Sequence, residues 1–113
     1  MADRTKVVLS SLGIGANDVT DIGPIPVGKK FFIKEFGAGG IIDTDNKSSL
    51  YLLQWGVVGS FEEVRFISAT GTTICLQVNK QFTGDGVKFL RVTRQNPSAT
   101  AKRCPFWIVA YDV

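Results

Sequence analysis

Pro24-Ile25-Pro26-Val27-Gly28-Lys29-Lys30-Phe31-Phe32-Ile33-Lys34-Glu35-Phe36 is the stretch on which the reading of this chain turns. Two prolines restrict φ to an extended approach, Gly28 supplies a turn residue able to take φ > 0, and an apolar run punctuated by lysine follows. That order of residues is a turn feeding a strand, so Lys29 to Phe36 is expected inside a sheet with Ile33 in the core. Downstream, Gly37-Ala38-Gly39-Gly40 is expected to break the strand as a flexible or bulged connection.

Upstream, Thr5 to Leu12 combines β-branched residues with serine and reads as one strand running into a Gly13-Ile14-Gly15 loop. Asn17-Asp18 and Asp21 to Pro26 carry turn chemistry, with room for a short edge strand between. Beyond the glycines, Ile41-Ile42 precede the polar turn Asp43 to Lys47. Ser48 to Val58 then places Leu50 and Leu52 on one face and Tyr51, Leu53, Trp55 and Val57 on the other. Both faces are apolar, which calls for cover either by another subunit or by the domain's own segments. Phe61 to Ala69 alternates Phe61, Glu63, Arg65 and Ile67 against Glu62, Val64, Phe66 and Ser68. After Thr70-Gly71, Thr72, Ile74, Leu76 and Val78 alternate against Thr73, Cys75, Gln77 and Asn79, the cleanest period-2 pattern here, which sets Cys75 outward. An Asp-Gly turn at Phe82 to Gly86 feeds Val87 to Thr93. The stretch Phe106 to Val113 is apolar on both faces and is expected as a packed strand.

The chemistry available is narrow. Histidine is absent, which removes the usual general base, the commonest metal ligand and the usual partner of a nucleophilic Ser or Cys. Two cysteines, Cys75 and Cys104, cannot make a four-ligand zinc site. Gly13-x-Gly15 has Asp18 where a third glycine belongs, and no helix pattern follows it. Gly37 to Gly40 precedes no Lys-Ser/Thr pair, and Asp43 and Asp45 lack the third ligand and turn glycine of a calcium loop. Glu62 and Glu63 are adjacent in a strand and point to opposite faces, so they are poorly placed to share a substrate atom. No cofactor or metal is implied, and the chain reads as a non-enzyme. Net charge is +3, from 13 basic and 10 acidic residues. The basic residues concentrate only around Gln95 to Ala101, as Lys80, Lys88, Arg91, Arg94, Lys102 and Arg103, without interleaved aromatics, which weighs against a nucleic-acid partner. No run approaches the ~20 apolar residues of a membrane span. The polar start Met1-Ala2-Asp3-Arg4-Thr5-Lys6 leads to an expectation of cytoplasmic synthesis without export.

At 113 residues, 44% hydrophobic and 20% charged, the chain is long enough for one domain, 1–113, with its own core. About eight strands with turns every roughly 8–12 residues and no helical period give an all-β, antiparallel β-sandwich, in the jelly-roll arrangement. With that pattern, Gly23 to Ile33, Gly84-Asp85-Gly86-Val87-Lys88-Phe89-Leu90-Arg91-Val92 and the aromatic terminal strand with Tyr111 resemble small jelly-roll virion proteins of tailed bacteriophages. Head-decoration, neck or collar, and tail-fibre modules are resembled alike.

The resemblance implies a non-catalytic virion component, made in the host cytoplasm, that assembles as a homo-oligomer, a ring or trimer, and with other virion proteins. A carbohydrate- or receptor-binding sandwich is the alternative, its ligand a host-surface glycan. Tyr51, Trp55, Trp107 and Tyr111 are the candidate interface aromatics; in the alternative, Trp55, Trp107 or Tyr111 would stack on sugar rings. Cys75 and Cys104 are open to three readings: two inert thiols, a bond within the chain, or a bridge to a neighbouring subunit.

Overall fold

The structure is a computed structural model and describes residues 3–39, 47–98 and 101–113. Among these, the strands are β1 (Lys6–Val8), β2 (Ser11–Leu12), β3 (Asn17–Ile22), β4 (Lys30–Gly39), β5 (Ser49–Val57), β6 (Ser60–Ala69), β7 (Thr73–Thr83), β8 (Phe89–Gln95), β9 (Lys102–Arg103) and β10 (Phe106–Asp112). They form two four-stranded antiparallel sheets, β1-β10-β4-β7 and β3-β8-β5-β6, with a β2-β9 ribbon at one end. Among the described strands, only β5-β6 is a hairpin of sequential strands within one four-stranded sheet; β3 to β4, β4 to β5, β6 to β7, β7 to β8 and β8 to β10 each cross between sheets. That is the jelly roll, and its two inner faces make one core. Among the described residues no helix is long and apolar enough to cross a membrane.

The opening stretch does what its residues require. Gly28 takes φ +74°. The approach to β4 is laced to the Gly84–Lys88 loop by backbone hydrogen bonds from Ile25 N to Lys88 O (3.0 Å), Gly86 N to Ile25 O (2.9 Å), Gly28 N to Gly84 O (3.0 Å) and Gly84 N to Lys29 O (2.8 Å). A side chain at Gly84 would stand 2.3 Å from the Pro26 carbonyl, so only glycine permits this approach. Beyond the turn, β4 lies between β10 and β7, with Phe31, Ile33 and Phe36 wholly buried. The spacing from Ile33 to Phe36 breaks strict alternation. An irregularity at Lys34, where Ile33 pairs with Ala110 and Glu35 with Val109, absorbs the extra residue.

Four expectations change. Thr5 to Leu12 is not one strand: β1 joins β10 and β2 joins β9, because Arg94 captures Ser10 between them through its carbonyl (2.7 Å) and hydroxyl (2.8 Å) and turns the chain. Gly37-Ala38-Gly39 does not break β4, which pairs with β7 as far as Gly39. In β6 the alternation slips: Leu53 pairs with Arg65 and Gln54 with Glu63, so Val64 is an extra residue turned into the core while Phe66 faces out. Asn17, Asp18 and Asp21, expected in turns, lie within the edge strand β3. Ile41-Ile42 and the Asp43/Asp45 pair lie outside the described residues.

Candidate interaction surfaces

Strand β5 decides which of the four aromatic candidates face inward. Tyr51 is completely buried and its hydroxyl donates to the Gly39 carbonyl of the facing sheet; burial pushes that phenol above its ordinary range. Trp55 is 5% exposed, its ring tilted against Phe82 at 4.9 Å. Neither residue is available as an interface or sugar-stacking aromatic, because β5 turns this face to the core. Trp107 and Tyr111 are different: alternation along β10 buries Phe106, Ile108 and Ala110 and leaves both half-buried on the outer side.

The outer face of β3-β8-β5-β6 carries the other side of β5. Cross-strand pairing sets Val19, Thr93, Leu52 and Phe66 in one row and Gln95, Leu50 and Ser68 in the next. Val19 is 49% and Phe66 50% exposed, and a shallow groove of 140 Å³ opens between Leu50, Leu52, Phe66, Thr93 and Gln95. The stripe ends at a polar row. There Arg91 holds Asp21 through two hydrogen bonds (2.8 and 3.0 Å) and lies over Phe61 and Phe89 at 5.2 and 5.3 Å.

On the outer face of β1-β10-β4-β7, Val7, Trp107, Gly37 and Cys75 form one row and Val109, Glu35 and Gln77 the next. A Cβ placed on Gly37 would stand 2.0, 2.2 and 2.6 Å from Cζ2, Cε2 and Cη2 of Trp107. Those three distances put the point almost directly above Cζ2, out of the ring plane, so the indole lies flat on the sheet over the glycine. Its Nε1 donates to Glu35 Oε2 (3.1 Å), and the Cys75 thiol donates to the same oxygen (2.8 Å). These bonds, that of Cys75 first, hold the Glu35 carboxyl below its usual range, while accepting carboxylate pushes the Cys75 thiol up. Four residues along β10, roughly 13 Å at the ~3.3 Å rise of a strand, Tyr111 leans on Phe32 at 5.4 Å.

The two thiols are free and differently placed. Cys75 is exposed, as its alternation requires. Cys104 is completely buried, 3.5 Å from the Ser49 hydroxyl. One points outward from a sheet and the other into the core, so they form no bond within the chain, and burial takes Cys104 out of reach of a neighbouring subunit. The concentration of basic residues also dissolves in three dimensions. Arg94 is buried and binds Asp18 (3.0 Å) and the carbonyls of Ser10 and Cys104 (2.7 and 3.0 Å). Lys102 donates to the Lys47 carbonyl (2.7 Å) and Lys80 lies over Phe82 (5.2 Å). With Arg91 on Asp21, four of the six charges serve separate structural contacts, and only Lys88 and Arg103 stand exposed without one shown. Among the described residues, no group of three or more Cys, Asp or Glu is placed to hold a metal ion.

The sequence marks Trp107 and the Leu50/Leu52 side of β5 as candidates for contact, but not the surfaces to which they belong. The stripe needed the register that aligns Val19, Leu52 and Phe66, and the platform needed Gly37 opposite Trp107.

No protein-family model matches the chain, and no curated protein sequence does. Among solved structures it is similar to a mitogen derived from Yersinia pseudotuberculosis, with a TM-score of 0.60 and 14% identity over 95% of this chain and 86% of that one. It is similar to PirA, with a TM-score of 0.51 and 16% identity over 96% and 95% of the two chains. A structure described as a CBM4 matches with a TM-score of 0.50 and 13% identity over 95% and 84%. At such identities the likeness is one of fold, and with the strand order it makes this chain a jelly-roll β-sandwich.

Proposed function

We propose that the chain is a non-enzymatic structural protein that acts by self-association, as a homo-oligomeric virion component of a tailed bacteriophage in the head decoration, neck or collar, or tail. The observation that carries this reading is the apolar stripe of Val19, Leu50, Leu52 and Phe66 on the outer face of β3-β8-β5-β6. A stripe bounded by the Arg91–Asp21 pair has the make-up of an interface, with an apolar centre and a charged rim, and a second copy presents the same surface. The resemblance of the Gly23 to Ile33 and Gly84 to Val92 stretches to small virion proteins supplies the setting; these two stretches are the ones hydrogen-bonded to each other beside β4.

Light scattering of the purified protein tests it. The parent is expected as a discrete oligomer and Phe66→Lys as a folded monomer; a parent that stays monomeric at high concentration refutes self-association. Mass spectrometry of purified particles tests the virion setting, which fails if the chain is absent from them. A second reading, a carbohydrate-binding module, is favoured by the flat, outward Trp107 on the opposite sheet. The two faces are separate, so one molecule has room for both roles.

A further inference from the structure

Resting on the carbohydrate-binding reading, we propose that the outer face of β1-β10-β4-β7 is a binding platform for a neutral oligosaccharide. Trp107 is the primary stacking surface, Glu35 and Gln77 receive and donate hydrogen bonds beside it, and Tyr111 with Phe32 forms a second stacking position along β10.

The indole is prepared for such a ligand. It lies flat over Gly37, the one position in its row where the absence of a side chain lets a ring rest on the sheet, and its other face is turned outward. Its edge is held by the hydrogen bond from Nε1 to Glu35, so the ring is oriented before any ligand arrives. A planar apolar surface with polar groups at its margin suits a pyranose, which has an apolar C–H face and a rim of hydroxyls. Of the groups at that margin, Glu35 is an ionised carboxylate that accepts hydroxyl hydrogens, and Gln77, exposed in the next position of its row, both donates and accepts. The carboxylate also sets selectivity. With Glu35 beside the ring, sialylated or uronic sugars meet like charge, so a neutral ligand is favoured. The second aromatic pair, roughly 13 Å further along the strand, calls for a chain of sugars rather than one.

Cys75 supplies a positional readout. Its thiol touches the same Glu35 oxygen as the indole, and Cys104 is buried, so a native molecule has one accessible thiol and it borders the platform. The experiment uses a printed glycan array, then titrations with cellohexaose, maltohexaose and the acidic hexagalacturonate, on the parent and on the Phe66→Lys variant so that self-association is kept apart. The expected result is binding of a neutral glycan that quenches Trp107 fluorescence, slows alkylation of Cys75, and weakens about tenfold or more in Trp107→Ala and severalfold in Tyr111→Ala. Trp107→Phe, which keeps a flat ring, retains part of the affinity and checks that loss in Trp107→Ala is not unfolding. Binding that survives Trp107→Ala and leaves Cys75 equally reactive overturns this site while leaving the carbohydrate reading in place. Failure of every glycan overturns both. Preference for hexagalacturonate overturns the assigned role of Glu35, and conversion of the oligomer to monomer by Trp107→Ala without glycan binding assigns the ring to a subunit contact and overturns the proposal.

Discussion

Replacing Gly37 with alanine isolates the contact that distinguishes this fold from the expectation that its glycines end a strand. The new Cβ would lie 2.0 Å from Cζ2 of Trp107, far inside contact distance, so the indole must leave the sheet. Overpacking of this kind costs about 1–3 kcal/mol. Against it, Gly37 has no positive φ, so alanine suits its extended backbone and restrains the unfolded chain by about 0.4–1 kcal/mol. Taking the middle of each range, the balance is a destabilisation of about 1.3 kcal/mol, which at a urea slope of ~1.5 kcal/mol/M moves the midpoint down by roughly 1 M. In a Trp107→Ala background there is nothing to displace and the sign reverses, with Gly37→Ala stabilising by about 0.4–1 kcal/mol. The unfolded-chain contribution is common to both backgrounds and cancels, so a double-mutant cycle by urea unfolding gives a coupling equal to the overpacking cost, about 1–3 kcal/mol, accompanied by a red shift of native tryptophan emission in Gly37→Ala alone. A cycle that closes with no coupling, or an unchanged emission spectrum, refutes the placement of the indole on Gly37.

Ile33→Asp places a carboxylate at a position with no exposure in the strand between β10 and β7. Since burying it costs several kcal/mol against a stability of ~5–15, the variant is expected to be unfolded by circular dichroism, and cooperative unfolding near the parent midpoint would show β4 to be peripheral. Asp112 is buried and held by Arg4, whose hydrogen bonds keep the carboxyl below its ordinary 3.8. Its contribution is complete above the unfolded carboxylate range and is lost as pH falls through the folded value, so Asp112→Asn should flatten the acid limb of the stability profile; an unchanged limb would discount the pair. Cys75 should react with a maleimide in the native state and Cys104 only after unfolding, and Glu35→Gln should speed the Cys75 reaction at pH 8 by removing the acceptor that raises its pKa. With one accessible thiol, a non-reducing gel is expected to show at most a disulfide-linked dimer; a longer ladder would contradict the burial of Cys104.

What the sequence by itself determined is what depends on neighbours along the chain. Period-2 alternation set Ile74, Leu76 and Val78 inward and Cys75 outward. Gly28 announced its positive φ, and the apolar runs at Ser48–Val58 and Phe106–Val113 became paired strands. These follow from backbone geometry and side-chain period, both local. Tertiary structure alone decided the rest, because it rests on pairs distant in sequence. A strand apolar on both sides cannot declare which side is the core, and only the packing of the two sheets put Tyr51 and Trp55 inside and left Leu50 and Leu52 on the surface. The glycines after Phe36 carry the signature of a loop, yet Gly37 continues the strand because Trp107, 70 positions later, fills the space above it. Arg94 belongs by composition to a basic surface, but the Ser10 carbonyl and the Asp18 carboxylate, far away along the chain, together with the nearer Cys104 carbonyl draw it into the interior. A residue's type limits the partners it accepts; which partner arrives is settled when distant segments compete to satisfy buried polar groups and fill the core.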